Sequence, residues 1–308
     1  MNIRLMENFR AIFYAPYYAT CTLGFYADEG VNVELVCSDA PGDAIAHLAN
    51  GTIDLTWGGP MRVMTARDRD NQSPLVCFGE VVSRDPFFLI GNFKRFELSD
   101  LKHLRSAAVS EVPTPWMCLQ HDLREAGVDP VMITRTADRT MPDNYALLRE
   151  GQLDVMQAFE PFASQAEMDG AGDVLYAASS RGPTVYTAFI ATRSKVAAHR
   201  DAFVAMTRAL GKMQQWLYAH SGKELAEVVA SFFTNVPHEL LVRSLQRYLD
   251  VDLWARDPAM SRQGFERLGA SFLSGGLLNR SPVFEKCVDE GLAQHQLKQP
   301  AAPSHDRL

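Results

Sequence analysis

Much of what sorts proteins into functional classes is thin in this chain. Lysine and arginine number 30 against 37 Asp and Glu, a formal net charge of −7, and no basic run interrupts that balance. Nucleic acid is thereby excluded as a partner, because phosphate binding needs a concentrated basic surface. The apolar stretches break well before the roughly 18 residues of a membrane span. Cys21, Cys37, Cys77, Cys118 and Cys287 show no Cys-x-x-Cys spacing. A zinc knuckle and a redox motif are excluded on that ground, and buried thiols are the expectation. His47, His103, His121, His199 and His220 lack the spacing of a metal-binding helix face, so no metal and no cofactor is assigned. The opening Met1-Asn-Ile-Arg-Leu-Met-Glu has no basic or apolar leader segment and runs straight into strand-like sequence. That makes the protein cytoplasmic as the sequence stands, and periplasmic if a leader has been removed.

What is present is ordinary for a globular protein: 47% apolar and 22% charged residues over 308 positions, a length that suits two domains. The organising stretch runs from Leu48 to Arg62. Gly51 suits a left-handed helix cap, Ile53 to Trp57 is a short buried strand, and Gly58-Gly59-Pro60 opens the next helix. Two glycines at that corner let a ligand approach the backbone, and a helix start attracts oxygens. The pattern returns at Leu148-Arg-Glu-Gly-Gln-Leu-Asp, where Gly151 and Asp154 repeat the offset of Gly51 and Asp54. Two similar α/β lobes follow, each offering a strand-end loop to a shared cleft.

Read in order, strands fall at 3–6, 31–36, 53–57, 75–82, 87–90, 106–109, 131–134, 153–159, 174–177 and 186–192. Helices fall between most of them, Thr114 serving as N-cap and Pro115 as first residue of one. From Val196 onward the pattern is helical, near 222–233, 237–250, 261–273 and 282–292, and packs back onto the first lobe. Lys298 to Leu308 reads as a frayed end.

These residues carry a resemblance. Phe13-Tyr-Ala-Pro, then Leu23-Gly-Phe-Tyr-Ala-Asp-Glu-Gly-Val-Asn-Val-Glu-Leu, then the two Gly-x-apolar-Asp units and Glu160-Pro161 resemble the thiamine-pyrimidine synthase and sulfonate-binding family of type II periplasmic solute-binding folds. The resemblance covers about residues 3 to 292. It implies an α/β, two-lobed fold with a ligand cleft between the lobes, divided into 1–91 plus 190–308 for the first, discontinuous lobe and 92–189 for the second. It also implies closure on a small ligand, for example a thiamine precursor, with an ABC permease as partner. The pyrimidine synthase of this family holds its cofactor on a lysine, which here would fall at Gly58, and has a cysteine-rich stretch that would fall near Arg181 to Tyr186. This chain has no lysine between Ile53 and Arg69 and reads Arg-Gly-Pro-Thr-Val-Tyr at the second place.

The candidate ligand contacts divide by chemistry. Phe9, Phe13, Tyr14 and Trp57 are expected to stack on a flat ligand, with Tyr186 beside them. Arg10, Arg62 and Arg84 follow strand ends, where each suits a carboxylate, sulfonate or phosphate. Gly58, Gly59 and Pro60 supply the corner; Ser110 and Thr114 offer hydroxyls from the second lobe, and Glu160 an acceptor. The expected function is a solute-binding protein for a small aromatic or heterocyclic metabolite, anionic where the arginines have a partner, with no catalytic residue. The alternative is a cytoplasmic enzyme on the same fold, a lyase or pyrimidine synthase-like protein using Glu160 or Glu111 as base.

Overall fold

The repeated Gly-x-apolar-Asp unit is a clamp on the start of a strand, used once in each half of the molecule. The computed structural model describes residues 1–293 other than 39 and 41, so the stretch from Lys298 to Leu308 lies outside the described residues. The strands are β1 (Asn2–Met6), β2 (Asn32–Val36), β3 (Leu55–Gly58), β4 (Leu75–Val82), β5 (Phe88–Gly91), β6 (Ser106–Ala107), β7 (Val155–Ala158), β8 (Asp173–Ala177) and β9 (Thr187–Thr192). They form a five-stranded sheet, β2-β1-β3-β9-β4, and a four-stranded sheet, β6-β7-β5-β8. In the first sheet Gly51 turns the chain at φ 78°. The Asp54 carboxylate then accepts the Arg4 N–H of neighbouring β1 at 2.9 Å. In the second, Gly151 turns at φ 68°, and Asp154 accepts the Arg105 N–H at 2.7 Å just before β6. A left-handed turn favours glycine because it has no Cβ, and the aspartate that follows fixes the register of a parallel pair.

Between and after the strands lie α1 (Ala15–Thr22), α2 (Phe25–Asp28), α3 (Asp43–Ala49), α4 (Met61–Arg69), α5 (Thr114–Glu125), α6 (Met141–Arg149) and α7 (Phe162–Asp169). The helical C-terminal part comprises α8 (Arg193–Ala198), α9 (Arg200–Leu217), α10 (Gly222–Val229), α11 (His238–Asp250), α12 (Arg262–Ser274) and α13 (Phe284–Cys287). Helix α9 packs against α1, α2 and β4, which places this part largely on the first lobe. Among the described residues no helix is long and apolar enough to cross a membrane.

Several expectations are corrected. The strand expected at 131–134 is a 3-10 turn, Pro130–Met132, started by the Asp129 carboxylate, which accepts the Val131 N–H at 3.0 Å. The helix expected over 282–292 stops at Cys287, because Val288 leaves it to bridge Cys77 on β4. Gly24, at φ 77°, divides what the sequence reads as one helix from Tyr17 to Gly30 into α1 and α2. Strand β5 belongs to the second sheet and β9 to the first, so both joins between sheets precede the divisions drawn at 91/92 and 189/190. Those apolar strands look alike in sequence, and nothing in their periodicity says which sheet they enter. Cys77, Cys118 and Cys287 are buried as expected, whereas Cys21 is partly exposed and Cys37 exposed.

The chain passes between lobes at 83–87 and 178–186, and these segments pair: the Thr184 N–H donates to Ser83 O and the Tyr186 N–H to Val82 O, each at 2.8 Å. A buried ionic network ties them. Arg181 meets Asp85 at 2.7 Å and donates to both carboxylate oxygens of Asp122 on α5, which also accepts the Tyr176 hydroxyl at 2.9 Å. Burial pushes the Asp85 carboxyl up and the Arg181 charge opposes it. A third tie comes from α11. Arg247 pairs with Glu160 at 2.7 Å and with Glu167 at 2.5 Å, Arg243 joins Glu167 at 2.5 Å, and the Tyr248 hydroxyl accepts the Glu160 N–H and donates to Pro86 O.

Two stability experiments follow. Arg181→Met leaves two buried carboxylates without a counter-charge and is expected to cost about 3–5 kcal/mol in urea denaturation; a loss below about 1 kcal/mol would show that the network contributes little. The Arg105 side chain, hydrogen-bonded to Asp154, holds that carboxyl below its usual value. Its stabilisation is therefore complete above the unfolded pKa of about 3.9 and lost as pH falls through the lower folded value. Asp154→Ala should cost about 1–2 kcal/mol at neutral pH, and the difference from the parent protein should shrink on acidification below about pH 4. A gap that stays constant down to pH 2 contradicts the clamp.

Candidate ligand-binding site

The loop after β1 carries four residues to the space between the lobes. Asn8 and Phe9 come directly off the strand, and a 3-10 turn, Ile12–Tyr14, swings Phe13 and Tyr14 inward before α1 begins. Gly59, Met61 and Arg62 reach the same space from the start of α4. Phe87 and Tyr186 enter from the two crossings, and Val112 and Thr114 from the second lobe. The cavity they enclose is small, about 40 Å³. Phe159, at the end of β7, closes one side: its ring lies 5.3 Å from Phe13, 5.4 Å from Phe87 and 6.5 Å from Phe9.

Among the described residues one charge stands among these rings. Arg62 is partly buried and donates to the Asn8 side-chain oxygen at 2.7 Å. Among the described residues it has no carboxylate within ion-pair distance. Burial lowers its pKa, with the Tyr14 phenol working the other way. Burial likewise pushes the Tyr14 phenol up to about 12, the hydrogen bond from Asn8 offsetting part of the shift. The Tyr186 hydroxyl is buried with no hydrogen-bond partner among the described residues. A partly buried cation and a buried unsatisfied phenol on residues lining one cavity are costly arrangements for a purely structural core.

Of the residues singled out in the sequence, Phe9, Phe13, Tyr14, Gly59, Arg62, Thr114 and Tyr186 are brought together here. Thr114 is the first residue of α5 and not its N-cap, and its side chain makes no capping hydrogen bond. The others have different employment. Trp57 is fully buried behind the site, stacked on Tyr17 at 4.5 Å and 5°. Gly58 ends β3, and Pro60 is buried as the N-cap of α4. Arg10 is spent on Glu7 at 2.9 Å and lies over the rings of Tyr18 and Phe232. Arg84 donates to Ser179 O at 3.1 Å on another face of the crossing. Ser110 is exposed and donates to Arg139 O.

Glu160 is completely buried, but its carboxylate accepts the Ser164 N–H and hydroxyl and pairs with Arg247 on α11. Burial still pushes its carboxyl upward against the Arg247 charge. Glu111 accepts the Ser110 and Met141 N–H groups, so neither carboxylate proposed as a base faces the cavity.

Sequence reading missed Asn8, Met61, Phe87, Val112 and Phe159. Three of them adjoin residues chosen as ligand contacts: Asn8 beside Phe9, Met61 between Pro60 and Arg62, and Phe159 beside Glu160. A flanking polar or aromatic neighbour was the available signal.

Arg62→Met separates a binding role from a structural one. Replacing a partly buried charge that has no carboxylate partner among the described residues by an apolar side chain of similar length should leave stability in denaturant unchanged or raise it by about 1 kcal/mol. A loss above about 2 kcal/mol makes the arginine a structural element.

The comparisons with known proteins agree with this architecture. The family described as NMT1/THI5 like matches residues 12–223. YtlA of Bacillus subtilis (strain 168), named as a binding protein, is 23% identical over 299 residues, covering 95% of this chain and 89% of its own. The periplasmic aliphatic sulphonate binding protein SsuA from Escherichia coli superposes with a TM-score of 0.76 at 16% identity, over 95% of this chain and 99% of that one. The ligand-binding component of an ABC-type import system from Staphylococcus aureus does so with a TM-score of 0.74 at 15% identity, over 96% and 98%. With the two-lobed α/β fold and the family match in agreement, this chain belongs to the NMT1/THI5-like family.

Proposed function

We propose that this protein is a solute-binding receptor of the ABC-importer type, which captures a small aromatic or heterocyclic metabolite bearing an acidic group between its lobes. The observation that carries this reading is the shielded Arg62 charge, without a carboxylate partner among the described residues, set among Phe9, Phe13, Tyr14, Phe87 and Tyr186. Such a site needs an anion to balance its cation and a flat apolar body to fill the space between its rings. Burying a ring of about 150 Å² contributes about 4 kcal/mol before ordering costs.

A cavity of about 40 Å³ admits such a molecule only as the lobes part and close again around it. The neighbours named as an import component and a sulphonate-binding protein support a permease partner and an exported location. We assign no catalytic residue. Ligand contacts from the first lobe are Phe9, Phe13, Tyr14, Gly59 and Arg62; Tyr186 joins them from the crossing, and Thr114 from the second lobe.

The test is a thermal-shift and native mass-spectrometry screen of aromatic and heterocyclic carboxylates and sulfonates, thiamine-pyrimidine precursors included. At least one anion should be retained by the parent protein and lost, by a factor of ten or more, from Arg62→Met. Retention unchanged in that variant, or no retention of any compound, refutes the reading.

A further inference from the structure

Asn8 is buried at the mouth of the cavity, and its side chain is used at both ends. Its Oδ1 accepts from Arg62 at 2.7 Å and from the Gly42 N–H at 3.3 Å. Two donors on one oxygen fix which end of the amide is which, so the other end is the NH2, and it donates to the Tyr14 hydroxyl at 3.1 Å. Gly42 sits at φ 101°, which a side chain rarely adopts, so its backbone N–H is delivered to Asn8 by a turn that favours glycine.

The consequence concerns polarity. Among the described residues that line the cavity, the one side-chain carbonyl is already occupied by two donors. Beside it stand the rest of the Arg62 guanidinium, whose other N–H groups have no acceptor among the described residues, and the side chains of Tyr14, Tyr186 and Thr114. The Tyr14 oxygen already accepts from Asn8, so it is left to donate, toward the cavity or toward the Thr187 hydroxyl that faces it.

We infer that Asn8 is a specificity-determining positioning residue: by occupying the only side-chain carbonyl among the described residues that line the site and orienting Arg62 and Tyr14 as donors, it selects a ligand group that only accepts hydrogen bonds, an ionised sulfonate or carboxylate, and rejects the neutral amide of the same shape. The inference rests on the receptor reading above and adds a residue and a rule of discrimination to it. An amide or sulfonamide brings N–H groups that would face donors, and two donors pointed at each other leave both unsatisfied. Discrimination by a mismatched buried polar group is much steeper than discrimination by size.

The experiment pairs each anion of the screen with its neutral counterpart, starting with benzoate against benzamide and benzenesulfonate against benzenesulfonamide, on the parent protein and on Asn8→Asp. In that variant the new carboxylate would pair with Arg62 and accept a hydrogen bond from the Tyr14 hydroxyl, reversing the polarity with almost no change of shape. The parent should retain anions at least tenfold more tightly than their amides, and Asn8→Asp should lose that preference. Asn8→Ser, which keeps an acceptor for Arg62 without a carboxylate, should retain part of it. Circular dichroism confirms that each variant is folded.

If the amides bind the parent as tightly as the acids, or if Asn8→Asp holds the anions within twofold, this inference falls while the receptor reading stands. If the parent retains no compound of either kind, the receptor reading falls and this inference with it.

Discussion

The contact on which the rest of this structure depends is the buried network of Arg181 with Asp85 and Asp122. It joins the two crossings to each other and to α5 of the second lobe. Each crossing alone is a short connection, the second opening on a 3-10 turn at Ala178–Arg181, and neither by itself fixes the direction of the lobes. Tied together by a planar guanidinium, they act as one strap, and the cavity residues Phe87 and Tyr186 inherit fixed positions because each lies within a few residues of an anchored side chain. A buried charge pair adds little net stability compared with an apolar substitute, but its geometry is specific.

The arginines show how one residue type divides into two kinds of work. Arg10, Arg181 and Arg247 each meet a carboxylate, and their charge is neutralised within the protein. Arg62 meets an amide oxygen instead, which orients it without cancelling its charge. Arg10 finds its carboxylate three residues away at Glu7, whereas Arg181 and Arg247 meet carboxylates more than 80 residues away in the chain. The remote partner is why Glu160 looks like a ligand contact in sequence and is tied to α11 in the fold.

What could be read from sequence was whatever is local. Gly51 with Asp54 and Gly151 with Asp154 mark the same strand start twice, since a left-handed turn and a carboxylate aimed at the next strand act within a few residues. The aromatic cluster after β1 was legible as a cluster. Its layering was not: Tyr14 faces the cavity and Trp57 stacks behind it on Tyr17, an order set by how β3 packs under α1. Likewise, β5 and β9 are equally apolar, and only long-range pairing assigns them to their sheets.

The rings that meet across the cleft have a bearing on signalling. Phe159 touches Phe9, Phe13 and Phe87 directly, and α11 adds its ionic contacts to Glu160 and Glu167. On the receptor reading, part of the free energy of closure is thus the protein's own, independent of any guest. A guest shifts a two-state equilibrium only by the difference in its affinity for the two states. Apolar packing narrows that difference by favouring the shut form in advance. On the receptor reading, the contrast between an occupied and an idle molecule has to come from something the rings cannot provide, and the guanidinium of Arg62, without a carboxylate partner among the described residues, is a group able to provide it: shutting it away without a counter-ion is costly, and shutting it away with one is not.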